Sequence, residues 1–184
     1  DPFAWDDVWL TVDERRAAGE TFKRPEVLEW MDALQADLRD DPRVGKVNSL
    51  ADIIKVVHRE LLGGSEAEFR IPDRADTVAQ TIFTFQGSHR PQDLWHFVTP
   101  DYRSANLWLQ LNSGDNMDME AVLETVETFL AENPPPVELE KNWFGLTYIN
   151  VAWQDKMVTG MLYAFMGSFA IVLAMMVMLF RSFL

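Results

Sequence analysis

Residues Met157 to Phe180 read MVTGMLYAFMGSFAIVLAMMVMLF, 24 consecutive positions without a charged side chain. As an α-helix this run is about 36 Å long, against a hydrocarbon core of about 30 Å, so it can span a bilayer. A secretory signal peptide lies at the N-terminus and carries a shorter apolar core of about 7 to 15 residues. A core helix of a soluble protein rarely combines this length with this purity. The stretch therefore predicts a transmembrane helix over residues 157–180.

Its flanks give it an orientation. Trp143, Phe144, Tyr148 and Trp153 crowd the leading end, where amphipathic rings favour the headgroup layer, and Arg181 follows the trailing end. The residues before the helix are then expected outside and Arg181 inside. Gly160, Ala164, Gly167 and Ala174 recur at spacings that place them on one helical face, with Ser168 beside them, and small residues in register let a second helix approach closely. Six of the nine methionines lie between Met157 and Met178, where flexible thioethers pack adaptably. Arg181 to Leu184 supply no partner helix and the sequence opens at Asp1-Pro2, so the chain is expected to be part of a longer polypeptide.

Every one of the 29 acidic residues precedes the apolar run, whereas one of the 16 basic residues, Arg181, follows it, so residues 1–156 carry 15 positive charges against 29 negative, or −14. Such a charge repels phosphate backbones, and no basic cluster with interleaved aromatics offsets it, so nucleic acid is not an expected partner. The absence of cysteine excludes disulfides, thiol nucleophiles and cysteine-based metal sites. About 150 residues suffice for one domain with its own core.

Along that domain the hydrophobic periods alternate between two and 3.6. Asp7 to Val12 predicts a strand, with Val8, Leu10 and Val12 on one face and Trp9 on the other. Pro25 opens a helix whose apolar side carries Val27, Trp30, Met31, Leu34 and Leu38, and Pro42 stops it. Val44 to Asn48 is a second strand. Ser49 caps a helix with Leu50, Ile53, Ile54, Val57 and Leu61 in register, ended by Gly63-Gly64. A further helix follows Ile71-Pro72-Asp73, with Val78, Ile82 and Phe85 on one face. Ser104 to Asn112 alternates as a strand, with Leu107, Leu109 and Leu111 opposing Trp108. After the turn Ser113 to Met117, Val122, Leu123, Val126, Phe129 and Leu130 define a helix that Asn133 and Pro134-Pro135-Pro136 terminate. Val137 to Glu140 is a last strand, and after Gly145 the chain runs helically into the apolar span.

Two β-α-β halves suggest an α+β, ferredoxin-like split β-α-β domain of the porter type over residues 1–145, with a helical insertion at about 49–100, followed by a membrane-approach segment and span over 146–184. In that topology the first and third strands are central neighbours, which puts Trp9 and Trp108 on the helix-free face. Exposed rings there mark an interface with another domain or subunit. The insertion helices folding over that face as a second small core, and direct substrate contact, are the alternatives.

No constellation for catalysis emerges. His58, His89 and His96 share no ligand spacing. Asp115, Asn116, Asp118 and Glu120 do not follow an EF-hand loop and read as the capped start of a helix. No serine lies in a Gly-x-Ser-x-Gly elbow, and Gly63-Gly64 lacks the lysine of a phosphate loop. The carboxylate pairs Glu138/Glu140 and Glu124/Glu127 read as solvated charge. An enzyme is not expected, and neither a cofactor nor a metal is implied.

Pro25-Glu26-Val27-Leu28, and Val44 to Val47 leading into Asn48-Ser49-Leu50-Ala51-Asp52-Ile53-Ile54-Lys55, resemble the periplasmic domain of resistance–nodulation–division (RND) superfamily exporters, in their MMPL-like, sterol-sensing-domain-related branch. The resemblance continues through Ile71-Pro72, the helix ending near Phe85, the strand at Ser104 to Asn112, and Met178-Leu179-Phe180-Arg181-Ser182. It implies a two-halved transporter of the bacterial inner membrane that uses the proton gradient to move hydrophobic or lipid-like molecules. Residues 1–156 would be one periplasmic domain and Met157–Phe180 the next helix. Its partners would be the remaining transmembrane helices, a second periplasmic domain, the substrate and a homo-oligomer. The run Trp153-Gln154-Asp155-Lys156-Met157-Val158 points to the second half. Drug-efflux members carry longer extracytoplasmic loops with a docking domain, which about 150 residues do not accommodate. The contrasting expectation is a single-pass anchored extracytoplasmic binding or scaffold module that dimerises through Gly160 and Gly167.

Overall fold

A computed structural model of the protein describes residues 19–180, so the strand expected at Asp7 to Val12, with Trp9, lies outside the described residues. The described chain is α+β. After a 3-10 turn at Thr21–Lys23, helix α1 (Pro25–Asp40) leads to strand β1 (Val44–Asn48) and helix α2 (Leu50–Leu61). Helix α3 (Ala75–Gln86), a 3-10 segment at Pro91–His96 and strand β2 (Trp108–Leu111) follow, then helices α4 (Asn116–Glu132) and α5 (Leu146–Phe180). The chain divides into two units: one combines residues up to Ser113 with Ala121–Glu140, the other Gly114–Glu120 with Lys141 onward.

The ends of these helices have local causes. Pro25 stands at the start of α1, where its missing N–H is no loss, and Glu26 favours the positive end of the helix dipole. Ser49 forms a capping box with Asp52: its hydroxyl accepts from Ala51 N–H, and the Asp52 carboxylate accepts from Ser49 N–H. Gly63 and Gly64 adopt positive φ and the Gly64 N–H returns to the Arg59 carbonyl at 2.8 Å, closing α2. Asp115 starts α4, its carboxylate accepting from Met117 N–H at 3.0 Å.

One cluster of buried side chains joins the first three helices of the first unit. Val27, Leu28 and Met31 of α1 meet Leu50, Ala51 and Ile54 of α2, with Val78 and Ile82 of α3, Leu94 and Val98 closing it. The helices of the expected insertion therefore share their core with α1 instead of forming a separate second one. Their apolar stripes meet that of α1, and pooling them removes more surface from water than two small cores would.

Strands β1 and β2 pair antiparallel, Val47 opposite Leu109 and Asn48 opposite Trp108, with a bulge between Val44 and Lys46. Two expectations are corrected. The strand read over Ser104 to Asn112 contracts to Trp108–Leu111, because residues 104–106 pair with 97–99 instead: Thr99 N–H donates to Ser104 O and Asn106 N–H to Phe97 O. Val137 to Glu140 is not a strand. Val137 and Leu139 do pack against the core with Glu138 and Glu140 exposed, but alternation reports an extended chain on an apolar surface, not ladder hydrogen bonds. Among the described residues the sheet has two strands.

Candidate functional site

Helix α5 is the feature that sets this chain apart. It runs 35 residues, about 52 Å, and no residue of its most apolar window is buried. It is long and apolar enough to cross a membrane. Val151, near its start, is its one buried side chain among those described. Gly160, Ala164, Gly167 and Ala174 all lie on this helix, within one face by its 3.6-residue period, and nothing described approaches the two glycines. Ala170 and Ala174 floor a shallow apolar groove bounded by Leu173, Val177 and Met178. At the leading end Trp143 stacks on Tyr148, their centroids 6.3 Å apart, with the Lys141 ammonium 6.0 Å from the Trp143 ring.

Trp108 begins β2 and is 49% exposed; its indole N–H donates to the His96 carbonyl at 3.1 Å. A residue of the insertion thus reaches the edge of the Trp108 ring. Trp95, nearby in sequence to His96, meets Tyr102 edge-on at 6.3 Å. Tyr102 is the one non-glycine described with positive φ, held by hydrogen bonds from Phe22 N–H to its carbonyl and from Gln86 to its hydroxyl. Burial raises its phenol above the ordinary tyrosine range.

His58 is buried with Nδ1 3.0 Å from the Glu68 carbonyl, whereas His89 and His96 are exposed. Among the described residues no group of His, Asp or Glu is arranged to hold a metal. A shallow cleft of about 400 Å³ opens beside Arg43, lined also by Asp37, Glu124, Thr125, Thr128 and Glu132. Its guanidinium is clamped on Asp41 by Nε at 2.7 Å and Nη2 at 2.6 Å, and holds that carboxyl down at about 2 against an ordinary 3.8.

A buried network that periodicity does not disclose joins α1 to α2. Gln35 donates to Asp52 at 2.7 Å and accepts from the Ser49 hydroxyl. Asp52 also receives Arg39 at 2.9 Å, and the buried Lys55 pairs with Asp32. Every buried side-chain nitrogen and oxygen described has a partner. Buried groups paired in this way specify how α1 packs on α2.

No protein-family model, curated protein or solved structure matches the chain.

Proposed function

We propose that this chain is an extracytoplasmic porter-type domain and its following transmembrane helix, belonging to a proton-driven RND-type transporter that exports hydrophobic or lipid-like molecules. The observation that carries the reading is α5, an exposed apolar helix that follows an acidic α+β unit. Surface that is apolar on every side of a helix is stable against lipid and against other apolar helices, and the small-residue face with its groove suits the second. The antiparallel pairing of β1 with β2, separated by α2 and α3, is the relation that the second and third strands have in a split β-α-β domain. Trp108 would then face a twin domain that shifts during substrate passage, with residues 1–156 on the periplasmic side of the inner membrane.

The test is transport. Source cells from which the chain has been deleted should lose, severalfold, their protonophore-sensitive efflux of lipophilic fluorescent amphiphiles, and restoring the full gene should return it. Efflux unchanged by deletion across a panel of such dyes contradicts the proposal and favours an anchored binding module.

A further inference from the structure

The second unit joins two segments distant in sequence: Gly114–Glu120, which includes the start of α4, and the chain from Lys141 onward. The side-chain amide of Asn116 donates to Gln154 at 2.5 Å. Met119, three residues after Asn116, and Val151, three residues before Gln154, share the helical faces of that pair and are both buried. The hydrogen bond joins the first turn of α4 to α5 at the level of Gln154.

That level can be placed against a bilayer. Gln154 precedes Met157, the start of the uncharged run, by three residues, about 4.5 Å along the helix. The headgroup layer on each side of the hydrocarbon is about 5–8 Å thick. Asp155 and Lys156 fill the interval with charge, and Trp153, which is 63% exposed, stands beside them as an interfacial ring does. Met117 follows Asn116 directly and is 74% exposed, an apolar side chain presented to whatever surrounds that level.

We infer that the segment Gly114–Glu120, the start of α4, is a membrane-surface contact, seated in the headgroup layer with Met117 directed into lipid. The inference rests on Met157–Phe180 spanning a bilayer and does not depend on what is transported. The segment bears Asp115, Asp118 and Glu120, so its partner is a zwitterionic lipid surface; anionic headgroups repel it. The exposed methionine and the bonded pair Asn116–Gln154 give the second unit a second point of contact with the bilayer beside its helix.

The chain has no cysteine, so single cysteines can be labelled without background. Met117→Cys and Val172→Cys, each in the full chain, carry an environment-sensitive fluorophore in phosphatidylcholine vesicles, with the free cysteine adduct as aqueous reference. Headgroup-nitroxide lipid should quench the label at 117 severalfold more than it quenches the free adduct, and iodide should quench it severalfold less. Acyl-chain nitroxide should quench the label at 172. Adding Asn116→Ala should return the 117 label toward the aqueous reference. If 172 is quenched from the acyl chains while 117 behaves as the free adduct, the surface contact is wrong and the span stands. If 172 itself responds as in water, the span fails and takes the contact with it.

Discussion

The buried side-chain amide of Gln35 donates to Oδ2 of Asp52 at 2.7 Å, tying α1 to the first turn of α2. The other end of the same amide accepts from Ser49, whose hydroxyl caps α2. One side chain therefore satisfies a helix cap from a neighbouring helix, and the two depend on each other.

Gln35→Leu should cost about 1–3 kcal/mol, because the Ser49 hydroxyl loses its acceptor in a dry site, and Ser49→Ala should cost a similar amount. The double variant should lose distinctly less than the sum, since each change removes the other's stranded partner. Denaturation of the full chain in detergent, followed by tryptophan fluorescence, measures this; strictly additive losses contradict the coupling.

Asp41 and Arg43 predict a response to acid. The folded carboxyl titrates at about 2, below its ordinary 3.8, so its contribution is complete above the unfolded value and disappears as pH falls from there through about 2. The shift corresponds to about 2 kcal/mol at most, reduced because Arg43 is about one-third exposed. Arg43→Ala should raise the pH of acid unfolding; an unchanged midpoint in a pH titration of far-UV circular dichroism contradicts the pairing.

Gly45 occupies the bulge of β1, where an added Cβ would lie 2.5 Å from Oδ1 of Asn112. Asn112 can swing away only by releasing the Pro42 carbonyl, to which it donates at 2.9 Å. Gly45→Ala should thus destabilise by about 1 kcal/mol, the net value of one hydrogen bond. In an Asn112→Ala background the same change should be nearly neutral, which a thermal melt of the four proteins resolves.

On α5, Gly160→Leu with Gly167→Leu fills the small-residue face. Under the proposed function, export should fall severalfold at unchanged protein abundance, because a neighbouring helix can no longer approach. Export equal to that of the parent chain removes these residues from helix packing.

Where the chain punctuates itself, the sequence was legible: Pro25 and Pro42 bracket α1, Ser49 and Gly63-Gly64 bracket α2, and Asn133 ends α4. The uncharged run from Met157 announced the exposed helix for the same reason, since length and composition suffice there. The buried side of α2 was less legible. Periodicity favours Leu61, which is 49% exposed, and overlooks Lys55 and His58, which are buried because Asp32 and the Glu68 carbonyl satisfy them. Partners from other segments carry no local signal, and the Gln35–Asp52 bond is hidden for that reason. Residues 104–106 and 137–140 mislead in another way: both alternate, yet strand identity depends on which backbone lies alongside. Alternation and an assumed split β-α-β topology put Trp108 on a helix-free face, but its hydrogen bond to the His96 carbonyl carries no local signal.

The central claim, that these residues belong to a polytopic transporter, is tested most directly by the mass of the native polypeptide in membranes of the source cell, blotted with an antibody to residues 19–145. The account predicts a membrane-bound band several times larger than the 21.2 kDa of this chain. A band near 21.2 kDa leaves no room for the companion helices and contradicts it.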